Sequence, residues 1–64
     1  MLKLILERWQ QRDGRTDHLW SLWLDGKRVA MAPKPLATAA AAESEARAIC
    51  VGKLGREPDR TEHL

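Results

Sequence analysis

A chain of 64 residues makes one domain at most, and so short a chain buries a smaller share of its surface than a longer one. A single cysteine, Cys50, excludes an intrachain disulfide and makes a reducing cytoplasm the expected setting. No apolar run approaches the roughly 20 residues of a membrane span, and a formal charge of +2 is too small to imply nucleic acid by itself.

Residues 2–11, "LKLILERWQQ", alternate as a strand, with Leu2, Leu4 and Leu6 on one side and Lys3, Ile5, Glu7 and Trp9 on the other. This alternation suits "MLKLIL" better than a signal peptide, for which the length and cleavage site are missing. Residues 12–17, "RDGRTD", carry Asp13-Gly14 and predict a turn.

Residues 18–24 and 27–32 predict two more strands around Asp25-Gly26. That dipeptide is a strong hairpin signal, because a type I′ turn needs positive φ at both central residues. A two-residue loop pairs Leu24 with Lys27, Trp23 with Arg28, Leu22 with Val29, Ser21 with Ala30 and Trp20 with Met31. One face is then expected to hold Trp20, Leu22, Leu24, Val29 and Met31. The other is expected to hold Leu19, Ser21, Trp23, Arg28, Ala30 and Ala32.

"PKPLA", residues 33–37, ends the sheet, since proline cannot donate to a ladder. Thr38 is the expected N-cap of a helix over residues 39–51, which Gly52 or Gly55 would stop. Ala39, Ala42, Ala46, Ile49 and Cys50 recur at helical spacing, and Glu43 and Arg47 stand at i, i+4 in the favourable order. The tail "GREPDRTEHL" has one large apolar residue and reads as flexible.

The expected fold is therefore α+β: a three-stranded antiparallel meander, β-β-β-α, with one C-terminal helix packed on one sheet face. Residues 1–54 form the domain and residues 55–64 the flexible tail. The alanine-rich stripe lets the helix sit close to a sheet that bears Trp20 and the leucines.

The second sheet face is left without cover. It is expected to show Ile5, Trp9, Leu19 and Trp23 with Arg28 nearby, an apolar patch that a monomer seldom leaves in water. Pairing of two such sheets at roughly 10 Å would bury it, as would another protein anchored on Trp23. The expected function is that of a small non-enzymatic interaction module, associating as a homodimer or with another protein. The alternative is a nucleic-acid-binding module. Residues 1–34 hold seven basic and four acidic residues, and Arg12, Arg15, Lys27 and Arg28 would supply phosphate contacts from turns and strand ends.

Two resemblances bear on these alternatives. The element order over residues 3–52, with "DGKRVA" as a hairpin and "AESEAR" in a helix, resembles the arm-type DNA-binding domain of phage integrases and the related plant domain. That resemblance implies a sheet laid in the major groove. The strand ending in "DGKRVA", followed by a loop and an alanine-rich helix, also resembles the small bacterial YegP-like family. There Trp20, Gly26, Ala30, Ala42 and Ala46 occupy the positions of the pattern, and the resemblance implies doubled or paired β-β-β-α units.

No catalytic residues, cofactor or metal are expected. His18 and His63 are the only histidines, and Cys50 falls on the apolar helix stripe as a buried thiol. Asp13, Asp17 and Asp25 sit in turns, where aspartate bonds its own backbone. "RDGRTD" lacks the acidic spacing and closing glutamate of a calcium loop.

Overall fold

The computed structural model describes residues 1–64 as an open mixed sheet with a single helix on one face. Three strands follow the expected order: β1 over Leu2–Gln10, β2 over Thr16–Leu24 and β3 over Lys27–Met31. They pair antiparallel in sequence, β1 with β2 and β2 with β3.

The turns follow from backbone chemistry. Asp25 has φ 51° and Gly26 φ 86°, so both central residues of the second turn are left-handed, as a type I′ turn requires. In the first turn Gly14 has φ 90°, and Asp13 accepts a hydrogen bond from the Arg15 backbone N–H at 2.9 Å.

The β2–β3 ladder departs from the expected register. Leu24 faces Lys27 and Trp23 faces Arg28, but the register then shifts, so that Leu22 faces Ala30 and Ser21 faces Met31. Val29 is the extra residue of the bulge, and every side chain beyond it changes face. Val29 and Met31 are therefore exposed, at 44% and 54%, while Ala32 is buried and Ala30 packs against the core. The physical reason lies in the layer above. The helix rests on β1 and β2, so β3 lies at the margin of the core, where its inward side chains are the small Ala30 and Ala32.

After Pro33 and Pro35 the chain returns to β2, where Leu36 and His18 exchange backbone hydrogen bonds of 2.9 and 3.0 Å. Helix α1 then runs over Ala39–Leu54, one turn longer than the sequence suggests. Thr38 caps its N-terminus by accepting from the Ala41 N–H at 3.0 Å, and Gly55, at φ 72°, ends it. Gly52 is passed over, because a glycine within a helix costs only about 1 kcal/mol. Ala42, Ala46 and Cys50 are buried and Ile49 packs beside them, whereas Ala39 is exposed at the helix entrance.

The largest departure is a fourth strand. Arg60–His63 forms β4, which pairs parallel with β1 and gives the sheet order β3-β2-β1-β4. The segment expected as a tail thus covers the free edge of β1. It is held mostly by backbone. Asp59 N–H donates to Leu2 C=O at 2.8 Å, Leu64 N–H donates to Leu6 C=O at 2.9 Å, and the Asp59 carboxylate accepts from Leu2 N–H at 2.8 Å.

The helix reinforces this edge. Arg47 meets Glu43 on its own helix at 2.9 Å and reaches Glu57 in the following connection, also at 2.9 Å. Its second terminal nitrogen donates to Thr61 Oγ1 in β4 at 3.4 Å. The two carboxylates, Glu57 first, raise the guanidinium pKa above its ordinary value.

The core consists of Leu2, Leu4, Leu6, Trp20, Leu22, Ala32, Ala42, Ala46 and Cys50. Large residues come from β1 and β2, and the helix supplies small ones. That division brings the helix axis close to the sheet.

Candidate interaction face

The face opposite the helix is built by strand parity. Its residues fall into rows across the sheet. In the first row Arg60, Lys3, Trp23 and Arg28 lie side by side on β4, β1, β2 and β3. The second row holds Glu62, Ile5, Ser21 and Met31. The third holds Glu7 and Leu19, and the fourth Trp9 and Asp17.

Trp23 is the central feature. Its indole N–H donates to Ser21 Oγ at 2.8 Å, two residues back on the same face. The one polar atom of the side chain is thus satisfied within the strand, and the ring is half-buried. A shallow depression forms beside it, lined by Lys3, Ile5 and Gly26 and by Asp25, which pairs with the Met1 amino group. Met31 completes the apolar surface from β3; sequence reasoning missed it because no side chain announces the bulge that turns it outward.

Ile5, Trp23 and Arg28 come together as expected, with Arg28 directly opposite Trp23. Trp9 shares the face but not the patch. It pairs with Asp17 at the far end of the sheet, six residues along β1 from the Trp23 level, which is about 20 Å. Trp9 is 55% exposed there. Leu19 is half-buried and packs against the core cluster, so it borders the patch.

The charges on this face are sorted by row. The first row carries Lys3, Arg28 and Arg60, and the third and fourth carry Glu7 and Asp17. Glu62, in the second row, lies 3.8 Å from both Lys3 and Arg60.

The four basic residues considered for nucleic acid are not brought together. Arg12 and Arg15 lie in the turn before β2, while Lys27 and Arg28 follow its other end, about 30 Å away along a nine-residue strand. Arg15 is engaged by Asp13 at 3.0 Å. His18 and His63 meet with Arg8 around a depression on the helix side. Cys50 is buried, its thiol donates to Arg56 C=O at 3.0 Å, and burial pushes its pKa up.

No protein-family model, curated protein or solved structure matches the chain.

Proposed function

We propose that this protein is an interaction module that associates through its open sheet face, with a second copy of the same chain as the partner. One observation carries the reading: Trp23 lies on the uncovered face with its only polar atom bonded to Ser21. A partner that covers this ring need offer no hydrogen bond, only apolar surface. Ile5 and Met31 beside it supply such surface, and a second copy would bring the same set.

The size of the face supports a weak dimer. β1 and β2 have nine residues each, β3 five and β4 four; at about 3.3 Å along and about 4.8 Å across per residue the face spans roughly 430 Å² per copy. A standard interface contributes about 800 Å² per partner. A face this small is expected to associate weakly, in about the micromolar range. Burying apolar area at about 25 cal/mol per Å² is offset in large part by the lost freedom of two molecules.

Light scattering at high micromolar concentration tests the reading. Wild type should show the mass of a dimer, and Trp23→Arg should give a folded monomer, because each copy would bring a charge into the same contact. A monomeric wild type would overturn the proposal. If duplex DNA then quenched tryptophan fluorescence, with affinity falling steeply as salt rises, the face would belong to a nucleic-acid module.

A further inference from the structure

We infer that the two copies meet with their strands reversed, so that Lys3 of each lies over Glu7 of the other. This rests on the sheet-face dimer proposed above and fixes its geometry. A closed pair of identical faces is related by a two-fold axis lying between the sheets. For sheets packed with their strands aligned, that axis runs either close to the strands or close to the perpendicular across them.

An axis along the strands keeps their direction. The row with Lys3, Arg28 and Arg60 then lies over its own copy, and six cations crowd one end of the interface. The Glu7 and Asp17 rows crowd the other end in the same way. Like charges set against one another across an interface are penalised.

An axis across the strands reverses their direction and returns each strand over itself. Placed at the second row, it sets Ile5 over Ile5 and Met31 over Met31, an apolar centre, and at the β4 edge Glu62 over Glu62, each held between Lys3 and Arg60 at 3.8 Å. The first row then lies over the third. Lys3 faces Glu7, since both are on β1 and stand two residues to either side of Ile5. Trp23 faces Leu19, since both are on β2 and stand two residues to either side of Ser21. Arg28 comes over the chain just past the end of β3, level with the Glu7 row, and Asp17 comes over the Asp25 end of β2, where the Met1 amino group pairs with that carboxylate. Glu62, the one acid in the central row, lies on the β4 edge with Lys3 and Arg60 as its neighbours. The pattern of charge thus selects the reversed arrangement, within the roughly 30° crossing that sheet twist imposes.

Two charge reversals test it. Lys3→Glu places two Glu–Glu contacts in its own homodimer, and Glu7→Lys places two Lys–Lys contacts. Each alone should dimerise at least tenfold more weakly than wild type. Mixed in equal amounts they should form a heterodimer with near wild-type affinity, because both cross-contacts are then Glu over Lys. Circular dichroism establishes that each variant is folded, and if either is not, Lys3→Gln and Glu7→Gln replace them with a smaller weakening of each homodimer. Dimerisation of wild type without rescue in the mixture, or without weakening by the neutral pair, would overturn the reversed geometry and leave the dimer standing. A monomeric wild type would overturn both.

Discussion

The indole N–H of Trp20 donates to Glu45 Oε1 across 2.9 Å, which joins the middle of β2 to the middle of the helix. It is a polar tie in a layer otherwise held by leucine and alanine. Trp20 is also the largest side chain of the core and is only 3% exposed.

Two effects therefore meet at Trp20, and they separate by substitution. Trp20→Ala should cost about 3–5 kcal/mol through the cavity it leaves, enough to unfold so small a domain. Glu45→Gln keeps an acceptor for the indole and should cost under about 1 kcal/mol. Thermal melts followed by circular dichroism measure both. A Trp20→Ala variant that melts like wild type would contradict the placement of this ring under the helix.

The bulge in the β2–β3 ladder makes a prediction that a continuous ladder would reverse. Val29 and Met31 are exposed, so Val29→Thr and Met31→Thr should each change stability by less than about 0.5 kcal/mol. Ala32 is buried beside Trp20, and Ala32→Val should cost about 1–3 kcal/mol through overpacking. Urea denaturation of the three variants distinguishes the registers, provided it is done at concentrations where the chain is monomeric.

Arg47 should act as a latch on the last strand. Arg47→Met keeps much of the aliphatic stem and removes the bonds to Glu57 and Thr61. Its ion pairs are partly exposed, so the global cost should be about 1 kcal/mol or less. The local effect is more telling. Hydrogen exchange at the Asp59 and Leu64 amides should accelerate, while exchange at core amides such as Ala32 should change little. Equal acceleration at both places would show that Arg47 supports the whole fold and not this edge.

The parts of the fold that can be read from sequence are those where a side chain meets a specific demand. Asp25-Gly26 marks its turn because positive φ is costly for most residues. Thr38 and Gly55 mark the helix ends by satisfying backbone groups there. Alternation assigns Trp20 and Trp23 to opposite faces, and the structure keeps them there, with Trp20 buried under the helix and Trp23 in the open rows. What is illegible depends on backbone alone. The bulge inserts Val29 without any residue that requires it. Strand β4 reads Arg-Thr-Glu-His, with none of the apolar alternation of β1, because it follows β1 through main-chain bonds. The face was legible to the same extent. Ile5, Trp23 and Arg28 follow from parity, Met31 was hidden by the bulge, and the distance of Trp9 from the patch became visible only once its Asp17 pairing was known.

The parallel pairing of β1 and β4 also sets an order of events during synthesis. β2 follows β1 after a short turn and pairs with it early, but the other edge of β1 stays bare until residues 60–63 are made. Until then the nascent chain presents an unpaired strand edge, the kind of edge that recruits strands from other chains. Neighbouring ribosomes on one message hold such edges close together. Substitutions that break the β1–β4 pairing should therefore raise the yield of insoluble product, because they leave this edge bare for longer.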